Sequence, residues 1–498
     1  MLFNSHVFIF LYLPVVVFGF YYIWKSSPRA GLPWLILSSL AFYAWWEYEL
    51  LPLLIFSIVF NYYCSGVLVK LRDEAGYSKV ILWFGISVNL AFLGYFKYYN
   101  FFIGNINEAL NTTLSERNII LPLAISFYTF QQIAYLVDSY RNIIEEYKFT
   151  HYFLFVTFFP QLIAGPIVHH KDLVPQFAQL SKSAMSNKNI QIGLSIFVIG
   201  LFKKVVLADS LAQYADPVFL SASQGHDVSF ISAWIGSAAY MLQIYFDFSG
   251  YSDMAVGLAR IFGIKLPLNF NSPYKALSIN EFWDRWHITL SHFIRDYIYI
   301  PLGGNRNGRL KQSYYLVFTM SIAGLWHGAG WTFVVWGLLH GFCLVINHAW
   351  SRVSKSFINS ETADSTSLKV VYRLLVLTFL VFSWVLFRAT DLDSAVIIMM
   401  AMLDLGSLAE GVLDTVTLEN LKQTVTIGLL FLVVLYLPNT YDIFRDHEPA
   451  IGYSSSDIYQ PDAFCWKSNL KFSIGFGLIG LIAILHMHRI NEFIYYSF

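Results

Sequence analysis

VFIFLYLPVVVFGFYYIW, residues 7–24, carries no charged side chain. A run of this length and apolarity matches the roughly 20 residues that cross a bilayer core as a helix. Only a helix or a closed barrel satisfies backbone N–H and C=O groups there, and a continuous apolar run is the helical solution. The residues before it lack the basic region and small-residue cleavage site of a secretory leader, so a retained first span is expected. Further apolar runs fill residues 31–68, 79–103, 119–138, 150–168, 190–208, 228–248, 313–325, 331–348, 370–387, 394–404, 425–438 and 470–486. About eleven to thirteen such segments predict an all-α, polytopic transmembrane architecture, read as one membrane domain over residues 1–498.

The composition agrees. The chain of 498 residues is 56% hydrophobic and 18% aromatic but only 13% charged, against roughly 25% charged in a soluble domain. Lys+Arg and Asp+Glu each number 32, so net charge offers no argument for nucleic acid or an acidic surface partner. Cys64, Cys343 and Cys465 are far apart and lack CxxC spacing, which excludes a disulfide framework or zinc ribbon and gives poor support to a thiol nucleophile. Basic clusters at 25–29, 70–72, 203–204, 306–311 and 352–355 are candidate cytoplasmic loops under the positive-inside rule, although they conflict in places. Polar stretches at 351–369 and 439–467 read as loops. No internal repeat of the kind found in inverted-repeat transporters is evident.

Between residues 248 and 314 the pattern changes. Asp253, Arg260, Lys265, Asn269, Asp284, His287 and Arg295 are among the polar residues that interrupt an aromatic stretch. Such a segment does not suit a lipid-facing span; it suits short amphipathic or re-entrant helices lining a wet cavity. Residues 248–348 are therefore the expected catalytic region.

Ionisable groups at membrane depth are costly and are functional candidates by default. His327 stands in SIAGLWHGAGWT (321–332), between apolar runs, with Gly324 and Gly328 close by to admit another backbone. Burial would leave a neutral imidazole able to accept a proton; a satisfied core histidine is the equal alternative. In EFWDRWHITLSH (281–292), a continuous helix would place Asp284, His287 and Ser291 on one face, where Asp284 could orient the His287 ring. An interfacial helix with a charged face explains the same pattern. Asp247 and Asp253 bracket Gly250 and suit a helix break, with proton relay or hydrogen bonding as roles. PLGGNRNGR (301–309) reads as a turn or a phosphate-contacting loop and lacks the P-loop lysine pattern. No HExxH occurs, His169-His170 is too little for zinc, and Asp391-Leu-Asp393 is explained as well by a helix cap as by a metal-binding pair. No metal is expected.

With these residues in view, the sequence resembles the membrane-bound O-acyltransferase superfamily, in the bacterial branch of alginate and peptidoglycan O-acetyltransferases. The resemblance runs through ISFYTFQ (125–131), FPQLIAGPI (159–167), QIYFDFSGYSDMA (243–255), FWDRWHITLS (282–291) and GLWHGA (324–329), and covers nearly the whole chain. It implies a ring of helices around a thin centre with funnels from both faces. His327 matches the family's membrane-embedded catalytic histidine and His287 its second signature histidine. The tail FIYYSF (493–498) matches an FxYxxF pattern associated with acyl relay, which makes Tyr495 a candidate acyl carrier; an aromatic interfacial anchor is the alternative.

What the resemblance implies is transfer of an acyl group, expected to be acetyl, from a cytoplasmic thioester such as acetyl-CoA or an acyl carrier. His327 would be the general base, with His287 and Asp284 orienting the donor or stabilising the oxyanion. The acceptor would be an envelope or exported polysaccharide such as alginate, reached through a periplasmic transferase partner from a bacterial inner membrane. No tightly bound cofactor is implied. A proton-coupled transporter or flippase using Asp247, Asp253 and the histidines is the rival from another class, and an enzyme acylating a lipid or protein is the rival within the superfamily.

Overall fold

Apolar runs this long can bury their backbone polar groups only by helix formation, and the structure follows that rule. The structure, a computed structural model, describes the chain apart from residues 145–147, 181–185, 357–364, 407–417, 455–463, 489–492 and 495–498. It is 78% helical without a strand among the described residues, the all-α polytopic architecture.

Among the described residues, six stretches are long and apolar enough to cross a membrane: Phe8–Ser26, Ala30–Lys70, Ala75–Leu110, Asn187–Ser223, Trp331–Ser356 and Thr366–Arg388. Three of them are double. Ala30–Lys70, for example, takes in most of Pro28–Glu47, a 3-10 turn at Tyr48–Leu50 and Leu51–Lys70. Each 20-residue helix spans about 30 Å at 1.5 Å per residue. Outward residues such as Phe10, Phe18, Leu37, Leu375 and Leu485 remain exposed, as lipid-facing side chains should.

Two of the apolar runs do not form a helix of spanning length. Residues 150–168 form two short helices, Phe149–Thr157 and Phe159–Leu162, followed by irregular chain. Residues 152–168 are wholly buried, so the apolarity there answers to protein packing rather than lipid. Leu392–Leu403 has only 12 residues.

The centre of the molecule is the 32-residue helix Phe230–Ile261. Residues 239–259 of this central helix are all buried, as befits a helix without a polar face to show to solvent. It does not break at Gly250. Gly250 and Gly257 instead cross Gly200 and Gly193 of Asn187–Phe202 so closely that an added Cβ at Gly200 would lie 2.5 Å from the Gly250 carbonyl oxygen. A Cβ at Gly257 would lie 2.5 Å from the Gly193 carbonyl oxygen. The glycine read as a break is a contact point between two backbones.

The same crossing corrects the reading of residues 203–204 as a cytoplasmic loop. A π-helical turn, Lys203–Ala208, turns both lysines onto the central helix. Lys203 pairs with Asp253 at 2.7 Å, and Lys204 with Asp247 at 2.6 Å and Asp209 at 2.9 Å. Lys204 is 1% exposed, and no loop could hold an ammonium there without those carboxylates.

Candidate active site

The segment between the central helix and Arg309 folds as short broken pieces: helices Ile279–Arg285 and Ile288–Ile294, then a π-helical turn Arg295–Tyr299. Short broken helices are what its interrupted pattern led us to expect. Helix Ile279–Arg285 starts properly, with Ser278 Oγ accepting the Glu281 N–H at 3.1 Å. It ends at Trp286, which is extended, and His287 then adopts φ 44°, ψ 50°. A β-carbon-bearing residue in the left-handed region is uncommon and persists only where its surroundings hold it.

What holds it is Asn269. The Asn269 carbonyl accepts the Ile288 N–H at 3.0 Å, and its side-chain Oδ1 lies 3.1 Å from His287 Nδ1. Proton placement follows from a chain of donors. The Ile167 N–H donates to Thr289 Oγ1 at 3.0 Å, so the Thr289 hydroxyl proton goes to Asn269 Oδ1 at 2.9 Å. Asn269 Nδ2 donates to Ser252 Oγ on the central helix at 3.2 Å. With Oδ1 thus an acceptor, neutral His287 carries its proton on Nδ1 and presents Nε2 as an acceptor.

His327 ends the helix Arg309–His327, where the last carbonyls lack helical partners. Lys97 supplies them: its Nζ donates to the Trp326 carbonyl at 2.7 Å and the His327 carbonyl at 3.2 Å. Tyr98 Oη donates to the Leu325 carbonyl at 2.8 Å. A cation at a helix C-terminus is also favoured by the helix dipole. The next helix, Trp331–Val353, folds back antiparallel, and Gly337 and Gly341 press against Met320 and Val317 of the first. Gly324 meets the Phe333 carbonyl, so the close approach read from its sequence position is made within this hairpin.

The result brings the two histidines together. Their ring centroids are 6.4 Å apart, with His287 0% and His327 4% exposed. Aromatic rings wall the site: Trp336 at 5.3 Å and Phe387 at 5.1 Å from His327, and Phe248 at 4.7 Å from His287. Two imidazoles with ring centroids 6.4 Å apart, buried among aromatic rings, can move a proton to or from a hydroxyl between them.

The profile of the membrane-bound O-acyltransferase family matches residues 40–387, which contain both histidines, Asn269 and Lys97. The chain belongs to that family. As a membrane-bound O-acyltransferase it is a multi-pass membrane enzyme. It is 42% identical to a peptidoglycan O-acetyltransferase of Helicobacter pylori, over 96% of this chain and 94% of the relative. It is 40% identical to a protein of Pseudomonas aeruginosa named "Probable alginate O-acetylase AlgI", over 88% of this chain and 81% of the relative. A teichoic acid D-alanyltransferase of Bacillus subtilis is 25% identical over 53% of this chain and 69% of its own length.

In this acyltransferase Asp284 does not orient His287. The backbone leaves the helix between them, so the shared face expected from spacings of three and seven residues does not form. Asp284 is exposed and lines a separate cavity of about 350 Å³ with Asn280, Trp283, Arg295 and His348. Ser291 lines that cavity too, its hydroxyl donating to the Trp283 carbonyl at 3.1 Å. Tyr495 lies outside the described residues.

The lesser motifs find structural places. His170 lies 3.6 Å from Asp138, which accepts the Tyr297 hydroxyl at 2.7 Å and so ties helix Ile125–Tyr140 to the broken segment. Asp391 caps helix Leu392–Leu403, accepting the Ser394 N–H at 2.8 Å. No group of three metal-ligating side chains occurs among the described residues. The 301–309 stretch is a turn with Gly303, Gly304 and Gly308 at positive φ.

Three residues escaped the sequence reading. Asn269 was one polar residue among many, and only the fold shows that it sets the His287 tautomer. Lys97 is, apart from Lys79 at its first position, the only charge in the run 79–103, a signal available in principle. His340 is fully buried among Trp283, Trp336 and Phe379, and neither ring nitrogen meets a hydrogen-bond partner among the described residues.

Proposed function

We propose that this acyltransferase moves an acetyl group from a cytoplasmic thioester, acetyl-CoA or an acyl carrier, across a bacterial inner membrane for O-acetylation of an envelope or exported polysaccharide. The observation that carries the chemistry is the buried His287–His327 pair, one ring held in a defined tautomer. His327 takes the proton of the attacking hydroxyl as the oxygen–carbonyl bond forms. Collapse of the tetrahedral intermediate breaks the carbon–sulfur bond, and the imidazolium returns its proton to the departing thiolate. The hydroxyl belongs to Tyr495, as a relay, or to a bound acceptor. A phenol ester suits relay because a phenolate leaves more readily than an alkoxide.

His287 has a narrower role than oxyanion stabilisation. With its proton committed to Asn269, its Nε2 receives a hydrogen bond from a substrate O–H or N–H and thereby orients it. Asp284, in its separate cavity, stays outside this step. The expected catalytic region, 248–348, supplies both histidines and Asn269, while Lys97 and Phe387 enter from outside it.

The acceptor class rests on the relatives, whose names specify peptidoglycan and alginate. Delivery to an extracytoplasmic glycan calls for a periplasmic transferase partner, expected to co-purify in mild detergent. The test is incubation of purified protein with isotopically labelled acetyl-CoA, followed by mass spectrometry of its peptides and of added glycan. General-base assistance is worth roughly 10²–10⁴-fold, so His327→Ala should lose at least about 100-fold in transfer while remaining folded. Full transfer by that variant would overturn the assignment of the base. A wild type that translocates substrate without forming a labelled ester would return the transporter reading.

A further inference from the structure

The ion cluster Lys204–Asp209–Asp247 is unused by the proposed chemistry. Lys204 lies 2.6 Å from Asp247 Oδ1 and 2.9 Å from Asp209 Oδ1, all three side chains being at most 3% exposed. Two carboxylates share one ammonium, so the cluster holds more acceptors than Lys204 alone can serve. A buried cluster of this kind rarely outperforms apolar packing in stability, and its best-attested use is to fix position.

What it fixes is the end of the chain. The Ile494 backbone N–H donates to Asp247 Oδ2 at 3.2 Å. The Phe493 ring lies 4.9 Å from Lys204 Nζ and 4.5 Å, edge-on, from the Tyr251 ring. Phe493 is 1% exposed. Asp247 and Tyr251 occupy the same turn of the central helix as Phe248, whose ring packs 4.7 Å from His287. Ser252, next along, receives Asn269, the residue that sets the His287 tautomer. One turn of helix therefore touches the tail on one side and the catalytic histidine on the other.

We propose that Lys204, Asp209 and Asp247 are positioning residues that latch the C-terminal tail, through Phe493 and Ile494, beside the histidine pair. The latch rests on the reading that the tail takes part in transfer. Its recognition chemistry is double: a cation under an aromatic face, which tolerates rotation of the ring, and a carboxylate–amide hydrogen bond, which fixes the height of the backbone. Carboxylates and ammonium at membrane depth thus act here as a mount rather than as a proton path.

The test uses the full chain in detergent and two readouts. Hydrogen–deuterium exchange of the C-terminal peptide reports docking; steady-state acetyl transfer reports use. Phe493→Ala removes the ring while leaving Lys204 paired with both Asp209 and Asp247, so its fold should persist. It should speed exchange of the tail and lower kcat about 10-fold at unchanged KM for the donor, the scale of one lost interaction of about 1.4 kcal/mol. Phe493→Tyr should restore both. Lys204→Met should speed tail exchange likewise. Unchanged tail exchange in Phe493→Ala would overturn the latch, as would faster exchange with unchanged kcat. If Tyr495→Phe keeps full activity while Phe493→Ala loses it, the acyl-carrier reading fails and the latch stands.

Discussion

At the scale of single residues, the chemistry depends on which atoms carry protons. His287 is set by a chain running from the Ile167 N–H through Thr289 to Asn269. Asn269→Leu deletes the acceptor that holds Nδ1–H, freeing the other tautomer. One buried hydrogen bond is worth about 1–1.5 kcal/mol, so kcat should fall about 10-fold, and unchanged kcat in a folded variant would show that the tautomer is irrelevant. Asp284→Asn should leave transfer within about twofold, since the carboxylate is exposed and turned into another cavity. A 100-fold loss there would reinstate the discarded pairing. His327 was legible because an ionisable residue framed by small residues in an apolar run is conspicuous. Asn269 was not, because an amide 18 residues from its histidine carries no local signature.

At the scale of helices, two features are testable. The Gly200–Gly250 contact leaves no room for a β-carbon, the blocking atoms being backbone. Gly200→Ala should therefore cost about 1–3 kcal/mol, the range for overpacking, seen as a lower unfolding temperature in detergent. The other feature is the cap of Leu392–Leu403. Hydrogen bonds from Ser394 and Thr390 hold the Asp391 carboxyl below its ordinary range. A depressed carboxylate contributes stability that is present above the unfolded value, near pH 4, and is lost as pH falls through the lower folded value. Asp391→Ala should cost about 1 kcal/mol at neutral pH, and the difference from wild type should shrink under acid. A difference constant from neutral to strongly acid pH would refute the ionised cap. Helix identity was legible from apolarity alone. Helix role was not: a 17-residue buried stretch such as 152–168 has the composition of a span without its exposure to lipid.

At the scale of the whole molecule, the central helix is bolted to Asn187–Ser223 by glycine contacts and by two sets of ions, Lys203–Asp253 and Lys204–Asp247–Asp209. Breaking a buried pair on one side strands the other charge. Lys203→Met should cost about 3–5 kcal/mol, and the double variant with Asp253→Leu should recover most of it. Equal loss in the double variant would show that Thr440, which donates to Asp253 at 2.6 Å, depends on the carboxylate more than Lys203 does. The sequence alone determined that the chain is helical and membrane-embedded, because hydropathy and backbone satisfaction act locally and need no partner. It also offered His287 and His327 as candidates, and its motif strings pointed to the family. Only the tertiary structure decided that Gly250 is a crossing, that Lys203 and Lys204 are buried mounts, that Asp284 faces away from His287, and that Asn269 sets its tautomer. Each of those turns on a contact between residues distant in the chain or on a single backbone dihedral, and neither leaves a periodicity that a sequence can display.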